Sequence, residues 1–383
     1  MQQTKTLPLI LFIQFIEITA YAMLLPLIPF YAQTLGAHPL TIGWIFASYS
    51  ILQLFTSPFL GKLSDLHGRK RIFLLGQFGT FLGFIILGFS KTIPLVFISR
   101  ITDGLTGGNQ TVSYAAISDI TSERDRAKAF GYMGSILAIG LLTGLPLGIF
   151  LYKFGFSFVS FFAAAIFLGS TVLTIFFLPE TRTSTTLTHT TKSSFTHYLK
   201  DKAIRLILLR ILFFTLPLNI FIFGFSLFVQ KQLDFNAQYA GYSLAFMGII
   251  GILFQVLFFG SIVSKLGDTK ASYLGFLLLI TGFFVLSAVV SIPILFLSLT
   301  LIISGTVLAT NTLSSLLTKS VSIHEYGHII GLNQSINSIC QILGPLIAGL
   351  LIARFENWIF GFTAALIALF GILFSTKLNK LYD

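Results

Sequence analysis

Apolar residues run in stretches of about twenty along this chain, and polar or charged residues gather in short clusters between them. A helix of that length crosses a hydrocarbon core of roughly 30 Å while satisfying its own backbone hydrogen bonds. The pattern predicts twelve spans, at residues 7–31, 41–63, 72–90, 94–119, 128–151, 156–178, 205–229, 238–262, 271–290, 293–317, 327–353 and 357–376. The expected fold is all-α and integral to the membrane. Span 1 is too long for a signal peptide, carries Glu17 inside it and lacks a small-x-small cleavage site, so it is expected to be retained. An even number of spans places both termini on one side.

The two halves repeat in register. Gly61 and Gly68 return as Gly260 and Gly267, Pro94 as Pro293, Gly131 as Gly331 and Gly144 as Gly344, offsets of 199 or 200. This predicts two pseudo-symmetric six-helix bundles, residues 1–180 and 204–383, related as a parallel repeat. Between them, residues 181–203 are polar and rich in Thr and Ser, as a linker would be. The other loops are short and leave no extramembrane domain for an active site.

Composition agrees: 55% of the 383 residues are hydrophobic and 10% charged, against about 25% charged in a soluble domain. The net charge of +11 does not point to nucleic acid once positions are considered. With the N-terminus cytoplasmic, eighteen of the twenty-four Lys and Arg fall on the cytoplasmic side, against Lys91, Lys153, Lys231 and Arg354 outside. That bias sets orientation, with both termini of a multi-pass protein cytoplasmic; the expected location is a bacterial inner membrane. Cys340 is expected to be a small buried apolar residue. His324, Glu325 and His328 at a cytoplasmic helix end read as solvated groups or as pH-sensitive trim. No metal-spaced cluster, nucleophile elbow or phosphate loop occurs, so no metal, cofactor or enzymatic reaction is expected.

Three ionisable residues stand well inside predicted spans: Glu17, Arg100 and Asp103. A charge at the bilayer centre costs at least about 2.5 kcal/mol, so each is expected to face a partner or an aqueous cavity. Gln14, Glu17 and Tyr21 share one face of span 1, and Arg100, Asp103, Gly107, Gln110 and Tyr114 one face of span 4. Asp103 either forms an i, i+3 ion pair with Arg100 or exchanges protons. Glu17 has no basic neighbour in its own helix and is costly to bury ionised, so it is the first candidate for proton coupling, or for recognition of a cationic substrate. The second half offers uncharged polar positions, Asn219, Gln255, Asn311, Asn333, Gln334, Asn337 and Gln341, with Tyr239, Tyr242 and Phe246. They suit an apolar cavity carrying scattered hydrogen-bonding groups.

Between spans 2 and 3 the chain reads GKLSDLHGRKR, residues 61–71. Gly61 permits close helix approach, Gly68 a tight turn, and Asp65 can face the positive end of a helix, while Arg69, Lys70 and Arg71 also enforce topology. This segment resembles, at each defined position, the signature of the major facilitator superfamily of secondary transporters, and the whole chain resembles its twelve-helix drug:proton antiporters. The resemblance implies a cytoplasmic latch made of Gly61, Asp65, Gly68, Arg69 and Arg71, completed by Asp119 at the end of span 4. The equivalent segment GSIVSKLGDTK has Ser264 at the position of Asp65 and is expected to latch weakly. Gly131, Gly140, Gly144 and Gly148 on span 5 are similar to the antiporter motif, whose glycines let helices from opposite halves pack. Here Pro146 follows Gly144 one residue late, whereas span 11 keeps Gly344-Pro345 together. RITDGLTGG resembles the span 4 motif whose buried Arg is linked to proton transfer. The acid in span 1 is similar to that of tetracycline-type exporters, whose acid in span 9 has no counterpart here.

The resemblance implies a monomeric proton-coupled exporter of small amphipathic compounds or drugs, working by alternating access. Proton-coupled uptake, or metabolite transport including siderophore-like cargo, is the alternative on the same fold, and an integral-membrane enzyme a remote one.

Overall fold

The computed structural model describes residues 3–182, 201–321 and 326–382. Most of the 181–203 linker therefore lies outside the described residues, as do His324, Glu325 and the side chain of His328. Packing divides the chain into two compact units, Met1–Thr188 and His189–Asp383.

In the first unit the helices are α1 (Gln3–Leu24), α2 (Leu27–Thr34), α3 (Pro39–His67), α4 (Arg69–Phe89), α5 (Ile93–Thr106), α6 (Asn109–Ile120), α7 (Glu123–Tyr152) and α8 (Phe156–Phe177). The second holds α9 (Lys202–Leu233), α10 (Ala237–Phe254), a π-helical turn at Gln255–Phe259, α11 (Gly260–Ser287), α12 (Ile292–Lys319), α13 (Tyr326–Arg354) and α14 (Trp358–Tyr382). Every predicted span is helical, and no strand occurs among the described residues.

Spans 1, 4, 8 and 9 depart from separate straight rods. Span 1 breaks into α1 and α2 at Pro26, which has no N–H to donate to the preceding turn. Span 4 breaks into α5 and α6 at Gly107-Gly108, where the backbone leaves helical geometry. Arg100 and Asp103 therefore belong to one helix and Gln110 and Tyr114 to another. Spans 8 and 9 run on through one 51-residue apolar stretch, Ala237–Ser287, bent at Gly267 with φ +71°. That merger, the broken span 4 and the short apolar Trp358–Leu373 explain why length and hydropathy alone find nine membrane-crossing helices among the described residues.

Local caps agree with the sequence. Ser122, Asp201 and Asn236 accept backbone hydrogens from the first turns of α7, α9 and α10. Pro39, Pro94 and Pro293 sit in first turns, where the missing N–H is harmless.

The repeat extends to packing. In the first unit α1 packs on α7 and α8, α4 on α5 and α8, and α3 on α5. In the second, α9 packs on α13 and α14, α11 on α12 and α14, and α10 on α12, the same set of pairs. Close approach depends on small residues at equivalent places. A Cβ on Gly144 would meet Ala22 Cβ at 2.6 Å, next to the carbonyl of Thr19; on Gly344 it would meet Asn219 Cβ at 2.6 Å, 200 residues after Thr19.

Candidate functional site

Glu17 is buried at mid-length of α1. Gln14, one turn earlier, donates Nε2 to its Oε2 at 3.0 Å. Gln77 on α4 donates Nε2 to Oε1 at 2.6 Å, Ser170 on α8 reaches Oε1 at 3.3 Å, and Asn109, first residue of α6, reaches Oε2 at 3.5 Å. Four neutral side chains from four helices thus surround one carboxylate, and no ion pair among the described residues includes it. Gln77, Asn109 and Ser170 were not among the sequence candidates. Their signal was an amide or hydroxyl in otherwise apolar spans, which is too common in membrane helices to single out a site.

Asp103 forms a separate cluster. Its Oδ2 lies 3.2 Å from Arg100 Nη1 and its Oδ1 accepts from Thr80 Oγ1 at 2.8 Å. Both members of the pair are about 2% exposed, and the Arg100 guanidinium also lies 5.4 Å from the Phe84 ring centre. The i, i+3 ion pair is formed. Tyr21, a helical turn beyond Glu17, packs instead on Tyr49 of α3, ring centres 6.0 Å apart. Glu17 and Asp103 are thus served by different partners, yet Gln77 and Thr80 both stand on α4, where the sequence assigned site residues only to the first turn, Arg69 and Arg71. Beyond the α5–α6 break, Tyr114 meets Phe130 of α7 edge to face and Gln110 is half-buried.

At the start of α4 the signature folds onto itself. Arg69 pairs with Asp65 at 2.6 Å and with Asp119 at 2.7 Å, and donates to Ser64 Oγ at 2.7 Å. Asp65 keeps 59% of its side chain exposed. Gly68 turns with φ +98°, a conformation that disfavours any side chain. Glu180 lies directly over it and accepts the Arg69 and Lys70 backbone hydrogens at 2.7 and 3.2 Å, capping α4. Arg182 ties the same strand of chain to the Leu66 carbonyl at 2.7 Å. Arg71 is exposed. Gly61 is not a tight contact: a Cβ there would meet only Thr111 Cγ2, at an ordinary 3.6 Å.

The antiporter-like glycines pack within their own unit. Cβ atoms on Gly140 and Gly148 would meet Ile18 at 2.7 Å and Met23 at 2.6 Å, both on α1 like the Gly144 contact. Gly131 has nothing within 4 Å. Pro146 lies inside α7.

In the second unit, Asn219 and Asn337 donate to carbonyls of their own helices, and Asn311 reaches Gln255 Oε1 of the π turn at 3.0 Å. Gln334 and Tyr242 are exposed, and Gln341 is half-buried. These residues form no connected hydrogen-bonding cluster like that of Glu17. A further intramembrane charge, Arg210 on α9, stood outside the sequence candidates: it is fully buried, donates to Ser272 at 2.7 Å and lies over the Phe276 ring. The weak second copy of the signature also holds more than expected. Asp268 accepts from Lys319 at 2.6 Å and from Ser315 at 2.7 Å. Asp268 stands 199 residues after Arg69 and Lys319 200 after Asp119, so the second unit carries the first unit's ion pair with its signs exchanged.

Among known proteins, a family model described as Major Facilitator Superfamily matches residues 10–345. Multidrug resistance protein 2 of Bacillus subtilis is 29% identical over 350 residues, covering 88% of this chain and 86% of its own length. Tetracycline resistance protein, class B, of Escherichia coli is 28% identical over 316 residues, covering 80% and 77%. The crystal structure of a bacterial homolog to the human lysosomal transporter Spinster superposes with a TM-score of 0.80 at 12% identity, covering 99% of this chain and 97% of that one.

Proposed function

Since this chain belongs to the major facilitator superfamily, we propose that it is a proton-coupled exporter of small amphipathic organic compounds, with Glu17 as the group that exchanges the proton. The observation that carries this reading is a buried carboxylate with four neutral hydrogen-bond donors and no cation beside it. A carboxylate so placed has reason to alternate between its charged and neutral forms, whereas one locked to a basic group stays charged. For Asp103 the Arg100 pair favours a fixed charge that shapes the interior of the first unit. Relatives named for multidrug and tetracycline resistance support export of organic compounds.

In this reading the bodies 1–180 and 204–383, joined by linker 181–203, move relative to one another, and the Gly61, Asp65, Gly68, Arg69, Arg71 and Asp119 cluster is a cytoplasmic latch released in one state. The protein is a monomer in a bacterial inner membrane with cytoplasmic termini, and carries cargo and protons without transforming its cargo. Gln14, Tyr21, Gln110, Tyr114, Asn219, Tyr242, Asn311, Gln334, Asn337 and Gln341 are the candidate cargo contacts.

The test is a tolerance screen in a bacterial host lacking its own efflux pumps, across lipophilic cations, dyes and antibiotics. Export predicts that expression raises tolerance to a subset of these compounds and that Glu17→Gln abolishes the gain at unchanged expression. Greater sensitivity, or new growth on a nutrient, would establish uptake instead.

A further inference from the structure

We propose that Gln77 is a positioning residue that follows the protonation state of Glu17, donating its amide hydrogen to the ionised carboxylate and accepting the carboxyl hydrogen when Glu17 is neutral. This rests on the reading of Glu17 as the proton-exchanging group and deepens it.

Gln77 is fully buried on α4, with Nε2 2.6 Å from Glu17 Oε1 and 3.3 Å from Ser170 Oγ. Its Oε1 is buried with no hydrogen-bond partner, and so is Asn109 Oδ1. An orphaned amide oxygen in a membrane interior carries a desolvation penalty, so its retention beside a carboxylate calls for a reason. The chemistry of the pair supplies one. An ionised carboxylate only accepts hydrogen bonds, and the donors now aimed at Glu17 suit that form; a neutral carboxyl has one hydrogen to donate and needs an acceptor. Turning the Gln77 amide about its last torsion, a broad and roughly two-fold one, exchanges Nε2 for Oε1 with no backbone movement. Ser170 serves either orientation, because its hydroxyl also has the Phe167 carbonyl at 2.9 Å as an alternative acceptor.

Several described titratable groups on the elements around Glu17 are engaged elsewhere. Arg100 and Asp103 on α5 hold each other, Asp119 on α6 holds Arg69 of α4, and Tyr21 on α1 packs against Tyr49. On α2, Tyr31 donates to the Ser90 carbonyl; on α7, Arg126 binds the Ser118 carbonyl and Asp125 the cap residue Ser122; α8 has no titratable residue. Among the described residues Gln77 is thus the closest donor to Glu17 and the only fully buried one whose acceptor stands unused.

The experiment is an infrared pH titration of the full-length protein in lipid nanodiscs, which needs no cargo. Glu17→Gln identifies the Glu17 carboxyl band. In Gln77→Leu the neutral carboxyl loses its acceptor, so its C=O stretch should move to higher frequency. The ionised form loses the stronger, charge-assisted bond, so the midpoint of the band should move to higher pH by about tenfold in proton concentration. Ser170→Ala, which keeps Gln77, should move the midpoint by less than about threefold. Should Gln77→Leu fail to fold, Gln77→Met provides the same loss at closer shape. A Glu17 band with the wild-type midpoint and frequency in the Gln77 variants would overturn the role of Gln77 and leave that of Glu17 standing. Absence of any titrating Glu17 band would overturn both.

Discussion

Arg100 and Asp103 are both buried and spend their charges on each other, so removing one leaves the other without compensation. Asp103→Leu should destabilise the protein by about 3–5 kcal/mol, while Arg100→Leu with Asp103→Leu should recover most of that loss. Thermal unfolding in a fixed detergent measures both, and equal losses in the single and double variants would show that the pairing is not what matters. Packing gives a second contrast at this scale. Gly144→Val drives a side chain into Ala22 and the Thr19 carbonyl and should cost about 1–3 kcal/mol, whereas Gly131→Ala meets open space and should stay within about 0.5 kcal/mol. The three intramembrane charges of the first half were legible because charge is rare at that depth. Gln77, Asn109 and Ser170 were not, because which amide meets which carboxylate is decided by how α1, α4, α6 and α8 pack, and a period of 3.6 residues says nothing about neighbours from other helices. Arg210 carried the same signal as Arg100 and was missed for its nearness to the cytoplasmic basic cluster.

The breaks in spans 1 and 4 arise where Pro26 and Gly107-Gly108 interrupt otherwise unbroken hydropathy. An apolar window records length and not straightness, which is why both read as continuous rods. At the α3–α4 turn Gly68 was legible: it takes the positive φ its place in the signature calls for. Gly68→Ala should cost at least about 1–2 kcal/mol from the backbone alone and should also displace Glu180 from the α4 N-terminus. An unfolding midpoint equal to wild type would contradict this. The exchanged-sign pair of the second unit invites a charge-reversal test. Asp268→Lys and Lys319→Asp should each lower stability, and the double variant should restore it, since the geometry needs opposite charges and not a given order. Three equally impaired variants would mean that each side chain has another partner.

For the whole molecule, the parallel repeat announced by Gly, Pro and charge spacing in the sequence reappears as matching helix pairs in the two units. Membrane class, family and repeat followed from pattern, because the bilayer restricts what a chain of this composition can become. If the signature cluster is a latch, Asp65→Asn should shift spin-label distances across the cytoplasmic face towards an inward-open state, and unmoved distances would count against it. Proton coupling through Glu17 is tested most directly in liposomes carrying the purified protein and a compound identified by the tolerance screen. Exchange of labelled for unlabelled compound needs no net proton movement, and accumulation driven by a pH gradient does. Glu17→Gln should keep exchange and lose accumulation; a variant that still accumulates the compound with the wild-type dependence on pH would contradict the account.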